Sequence, residues 1–244
     1  MKLLPIALLG LASVAYSAPD KPSIVLVHGA FADASSWSKV IPILERDGYY
    51  VTAVQIPLTS LADDIATTKR VLDAQKGSVV VVGHSYGGAV ITGAAAGSKN
   101  VKSLVYVAAF APDDNEPLAA AGSKFAAPPL NAALAPDSAG FLYVDRAKFH
   151  ENFCADIPAS EARIMAAAQK PLAGSAFGAA VPVAAWKTIA TWYIVASNDR
   201  AINPDLERFY AKRASAKTTE IASSHVPFLS HPKDVAKVIE DAAR

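Results

Sequence analysis

Val79-Val80-Val81-Val82-Gly83-His84-Ser85-Tyr86-Gly87-Gly88 is the stretch from which the fold is read. Four consecutive β-branched residues predict a strand buried on both faces, as in a parallel sheet covered by helices. Glycines at 83, 87 and 88 then permit a sharp turn, and the small residues of 89–96 predict a helix. A serine flanked by glycines two residues to either side, between a strand and a helix, is held in a strained backbone conformation with its hydroxyl presented. Bulky neighbours would not fit that turn. An incidental glycine turn is the bland alternative, but the strand before it and the helix after it make Ser85 the candidate nucleophile.

Outward from this turn, strand and helix alternate. Further strands are predicted at residues 24–27, 50–54, 101–107, 191–196 and 218–222, with residues 78–82 as the third of six. Trp37, Val40, Ile41 and Leu44 recur at helical spacing, with Pro42 confining regular helix to the part after it or bending it. Ser60 with Asp63 forms a capping-box pattern, and Leu61, Ile65, Thr68 and Leu72 share one helix face. A last helix opens at Pro232 and carries Val235, Val238, Ile239 and Ala242 on one side. Such alternation implies a parallel sheet with helices on both faces, joined by right-handed crossovers. Over residues 111–183 the rhythm breaks into Ala- and Pro-rich sequence with short helical pieces at 145–154 and 160–169. Aromatic residues spread through it argue for a compact helical cap insertion rather than a tether.

Residues 1–18 have their own character: Lys2, an apolar run and then Ala15-Tyr16-Ser17-Ala18, the layout of a secretory signal peptide. The apolar run is shorter than the ~20 residues a spanning helix needs. Export to the periplasm or the medium is therefore expected, leaving residues 19–244 as one domain. Removing Lys2 from the 23 basic residues leaves 22 against 22 acidic ones. A neutral chain with scattered charge is not a nucleic-acid partner, and no later stretch is a membrane span. Cys154, the single cysteine, is expected to be a buried small hydrophobe with no metal ligands around it.

A serine hydroxyl needs a base, and the base an orienting acid. His28 and His84 lie inside tight motifs and are expected to support turns; His150 falls in the insertion; His231 precedes Pro232 at a capping position. His225 remains, in a loop after the last strand that can return to Ser85. Asp199, after the strand at 191–196, is the preferred acid because it lies between serine and histidine in chain order. Asp113, with Asp114, is the rival, while Asp205 is an exposed first-turn residue. The oxyanion of an acyl-transfer intermediate needs two N–H donors. Tyr86 supplies the first and Ala30 the second, with the amide of Phe31 as runner-up and its side chain, with Trp186, lining the pocket.

His28-Gly29-Ala30 together with Gly83-His84-Ser85-Tyr86-Gly87-Gly88 resembles the α/β-hydrolase superfamily, in particular small bacterial esterases and the plant methylesterase/hydroxynitrile-lyase group. The resemblance runs from Ile24 to the last helix. It implies a three-layer α/β fold, a cap over the site, hydrolysis without metal or organic cofactor, and a small ester with an apolar acyl or aryl part as substrate. Too few residues precede Ile24 for the amino-terminal strands many members have, so about six strands are expected. Hydroxynitrile-lyase-like and cofactor-free perhydrolase activities, or a ligand-binding receptor that keeps the three residues, are the competing readings. The lyase branch has a non-glycine residue after the motif histidine and a lysine near the catalytic histidine; Gly29 and the lack of a lysine beside His225 favour hydrolysis.

Overall fold

A computed structural model describes residues 21–244; the expected leader falls within residues 1–20 and lies outside the described residues. In chain order the elements begin with β1 (Ser23–Val27), α1 (Ile41–Arg46), β2 (Val51–Val54), α2 (Leu61–Ala74), β3 (Val79–His84), α3 (Tyr86–Ala94) and β4 (Val101–Val107). The intervening segment carries α4 (Leu118–Gly122), β5 (Leu134–Pro136), β6 (Phe141–Val144), α5 (Arg146–Phe153), α6 (Ala159–Ala168) and β7 (Leu172–Ala173). The chain then returns with β8 (Ala190–Ala196), α7 (Pro204–Arg213), β9 (Lys217–Ile221), the single turn α8 (Pro227–Ser230) and α9 (Pro232–Ala243).

Six strands pair in the order β2-β1-β3-β4-β8-β9, every neighbour parallel. This is the expected α/β-hydrolase arrangement. The order reverses after β2: the chain steps one way from β1 to β2, then back past β1 to β3. Right-handed crossovers therefore put α1 on one face and α2 and α3 on the other. The contacts agree, since α2 packs on α3, α3 on β1 and β3, and α9 on α1, β3, β4 and β8. The turns after β1 and β3 thus lie side by side at the topological switch point, where open α/β sheets form their crevice. Buried on both faces, β1 and β3 have no exposed residue. Burial at about 25 cal/mol per Å² makes such a central strand the rigid base for the turns that leave it.

Pro42 stands at the second position of α1, where its missing N–H costs nothing, so it begins the helix rather than bending it. The helical pieces expected in the insertion are present as α5 and α6. Not foreseen was the antiparallel sheet β5-β6-β7, whose strands of two to four residues are too short to show a period. Cys154 is buried, and burial pushes its thiol up to about 12, so it acts as a small hydrophobe.

Candidate active site

Ser85 joins β3 to α3 with φ 53° and ψ −123°, a conformation that a residue with a side chain adopts only under constraint. Three main-chain bonds impose it: Ser85 N–H donates to Val107 O at 3.2 Å, while Ser85 O accepts from Gly88 N at 3.0 Å and Phe110 N at 3.1 Å. The glycines are needed for space. A Cβ on Gly87 would lie 2.6 Å from His28 O, because the turns after β1 and β3 touch. A Cβ on Gly29 would lie 2.7 Å from Ser85 Cβ, so the main chain of residues 28–31 runs directly against the nucleophile candidate. Ala30 and Phe31 are buried in that turn, and Phe31 has φ 60°.

Asp199 and His225 are brought together by the turns after β8 and β9. His225 Nδ1–H donates to Asp199 Oδ2 at 2.5 Å, with side chains only 1% and 0% exposed. Asp199 Oδ1 accepts from Ala201 N at 2.6 Å and Ile202 N at 3.0 Å, which fixes the carboxylate plane. With its Nδ1 proton donated to Asp199, His225 has Nε2 available as an acceptor. The loop is tied to the elbow through the neighbour of Ser85: His84 Nε2–H donates to His225 O at 2.9 Å, and the two rings are 4.6 Å apart. Burial holds His84 well below its ordinary pKa and so keeps it neutral. His28 is equally structural. Its Nδ1–H donates to Gly29 O at 2.8 Å, its Nε2 accepts from Ile56 N at 3.2 Å, and burial lowers its pKa to about 4.

The other candidates are engaged elsewhere. Asp113 and Asp114 both pair with Lys187 on the surface, away from His225. His150 Nε2–H donates to Ile157 O at 2.9 Å. His231 stands at the start of α9 but makes no side-chain cap; its ring pairs with the Ser230 hydroxyl at 2.9 Å. Asp205 is exposed in the first turn of its helix, as expected, and it also pairs with Arg208. Trp186, expected in the pocket, donates from Nε1 to Pro112 O at 2.8 Å, packs on the Arg213 guanidinium and is in the wall of neither of the two cavities beside these turns.

Two residues near the elbow escaped the sequence reading. Asp64 is fully buried, accepting from Leu58 N at 2.7 Å and from the Tyr86 hydroxyl at 2.6 Å. It thereby anchors the first residue of α3, whose amide follows the nucleophile candidate. Its signal was positional: Asp64 sits three residues after Leu61 and four before Thr68, on the apolar face of α2. Asp156, from the insertion, accepts from Ser224 N at 2.8 Å and from the Ser224 hydroxyl, gripping the residue before His225.

Two cavities adjoin these turns. One of about 550 Å³ is walled by Phe110, Leu118, Phe125, Phe177, Ile202 and Leu206. It meets the site through Phe110, bonded to Ser85 O, and Ile202, bonded to Asp199. A cleft of about 190 Å³ is lined by Phe31 with Met165 and Leu229, and the Phe31 ring meets Phe153 edge-on at 6.4 Å. Phe153 in turn lies 5.0 Å from the His225 ring. Ser85, 7% exposed, is in the wall of neither.

A strained serine at a strand-to-helix turn and an aspartate-bound histidine thus lie at the same end of a parallel sheet, the arrangement in which hydrolases of this fold place such residues. The sequence pattern of the alpha/beta hydrolase family matches residues 24–238, and the chain belongs to that family. It is 26% identical over 245 aligned positions to Probable hydrolase R7 of a Phoma species, covering 91% of this chain and 98% of that protein. Methylesterase 8 of Arabidopsis thaliana is 36% identical over 109 positions, covering 38% of this chain and 39% of the relative. Among solved structures, a pyrethroid hydrolase from Sphingobium faniae superposes with TM-score 0.77 at 22% identity, covering 91% and 97% of the two chains.

Proposed function

We propose that this chain is a serine carboxylic-ester hydrolase acting on small esters with an apolar acyl or aryl part. The observation that carries the reading is the His225 Nδ1 to Asp199 Oδ2 bond at 2.5 Å, at the same end of the sheet as a strained Ser85. His225 Nε2 takes the Ser85 proton as Oγ attacks the ester carbonyl carbon, and the imidazolium that forms is stabilised by Asp199. The amides of Tyr86 and Ala30 receive the oxyanion; Asp64, through the Tyr86 hydroxyl, keeps the first donor in place. Collapse of the intermediate expels the alcohol, protonated by His225, and leaves an acyl group on Ser85. Water, deprotonated by the same imidazole, then releases the acid. The apolar walls of the 550 Å³ cavity suit an alkyl or aryl group rather than a charged polymer. We further propose that the chain acts after export and loss of its first eighteen residues, which amino-terminal sequencing of the protein from the medium or periplasm tests.

Turnover of a panel of p-nitrophenyl esters of increasing acyl length is the test. Hydrolysis by the wild type that vanishes in Ser85→Ala supports the reading. Cleavage of mandelonitrile without ester turnover would move the chain to the lyase class, and binding without turnover to a receptor.

A further inference from the structure

Glu207 is 0% exposed, one turn inside α7, and takes no part in the chemistry above. Its Oε2 accepts from Ala196 N, the last residue of β8, at 2.9 Å. Its Oε1 is buried and receives no N–H or O–H from the described residues. What lies within hydrogen-bonding reach of this carboxyl is the Asp199 carboxylate, another acceptor. Two buried carboxyl groups that face each other need a shared proton. Asp199 already accepts three N–H bonds, from Ala201, Ile202 and His225, each favouring its ionised form, whereas Glu207 accepts one. The proton therefore belongs on Glu207.

We propose that Glu207 is a positioning residue: as a neutral acid it donates a hydrogen bond from its buried carboxyl to Asp199 and so holds that carboxylate on His225. Burial, then the nearby Asp199 charge, raises the Glu207 pKa well above the usual carboxylate range. The groups facing it are Asp199 with His225 behind it, Tyr193 on β8, and Arg208 on its own helix. Arg208 is at the surface, engaged by Asp205 and Glu220, and Tyr193 donates its hydroxyl to Ala109 O. Neither supplies a proton to the pair. Like Asp64, Glu207 lies on the apolar face of its helix, three residues before Tyr210 and four before Ala211.

The test compares wild type with Glu207→Gln, whose amide carbonyl can accept from Ala196 N and whose NH₂ can donate to Asp199. Between pH 5 and 7 the unfolded wild type loses the Glu207 proton, near its ordinary value of ~4.3, while the folded protein keeps it. Urea unfolding should show the wild-type folding constant falling about tenfold per pH unit relative to Glu207→Gln. Parallel curves would overturn the proposal. The carboxyl ¹³C resonance of Glu207 in the wild type decides the same point without a variant: a protonated shift that persists through pH 7 supports the proposal, and ordinary titration overturns it. The positioning role rests on the esterase reading and has its own arm. Glu207→Leu should lose about tenfold or more in kcat with KM little changed, and Glu207→Gln should recover most of it. Wild-type kcat in Glu207→Leu would overturn the positioning role. A wild type without ester turnover would sink the esterase reading while the unfolding and resonance measurements still decide the proton.

Discussion

The carboxyl end of the six-stranded sheet and the segment between β4 and β8 meet around His225, yet they are built differently. At the sheet end, position is imposed by main chain: glycines at 29 and 87 let two turns approach, and three backbone bonds hold Ser85 in a strained conformation. The intervening segment is built from short helices and a small antiparallel sheet. It reaches the sheet end through side-chain ties, Asp156 to Ser224, Lys170 to Ile56 O and the Phe153 ring beside His225, together with main-chain bonds from Leu130 N–H to Arg200 O at 2.9 Å and from Ala173 N–H to Leu58 O at 3.0 Å. Gly29 and Gly87 have no room for a Cβ, whereas the insertion contributes Leu118, Phe125 and Phe177 to the wall of the 550 Å³ cavity. On the proposed function, chemistry belongs to the first region and substrate preference to the second.

The sharpest way to break this division is to exchange equivalent charges in the two regions. Asp199→Asn removes the acceptor for His225 Nδ1–H and should lower kcat by about 10³–10⁴, whereas Asp113→Asn loses only a surface pair with Lys187 and should stay within about threefold. Steady-state kinetics on one p-nitrophenyl ester measures both. A crippled Asp113→Asn beside an active Asp199→Asn would reverse the assignment.

The second prediction concerns the cost of burying neutral rings at the sheet end. The folded protein resists protonating His28 until about pH 4, whereas the unfolded chain binds that proton near pH 6.5. Each unit of acid between those values favours unfolding, so stability at this residue falls with pH by roughly 3 kcal/mol in total. His28→Asn lacks the titration. Its stability deficit against wild type, measured by urea unfolding, should shrink by about that amount from pH 6.5 to pH 4. A deficit independent of pH would mean that the ring is not held neutral.

Smaller effects are expected in the insertion. Asp156→Ala frees the Ser224 amide and hydroxyl next to His225, costing about 1–3 kcal/mol of stability and less than the Asp199 change in kcat. Smallest of all, Phe125→Ala enlarges the wall of the 550 Å³ cavity and should shift the preferred acyl length by a few-fold in kcat/KM while short esters keep their rate. Equal losses for every ester would place the acyl group elsewhere.

How much of this could be read from sequence follows the same division. β1 and β3 are continuous apolar runs because both faces are covered, and the glycines mark contacts only a hydrogen side chain permits. Elimination among the histidines then picked out His225 and chain order picked out Asp199, and the structure brings the two together. The setting of Trp186 was not legible because an aromatic in an irregular segment carries no direction; its indole bonds Pro112 O and packs on Arg213. Asp64 and Glu207 were overlooked because acids in the first turns of helices are ordinarily solvated and favoured there by the helix dipole. Their place on the apolar stripe was the legible warning.

The central claim is that Ser85 is the nucleophile and His225 its base, and covalent trapping tests it most directly. A fluorophosphonate probe reacts only with an activated hydroxyl, and peptide mapping by mass spectrometry locates the adduct. The account predicts one adduct per chain, on Ser85, formed rapidly by wild type and at least about a hundredfold more slowly by a folded His225→Ala. An adduct on another residue, or labelling of Ser85 at an unchanged rate without His225, would contradict it.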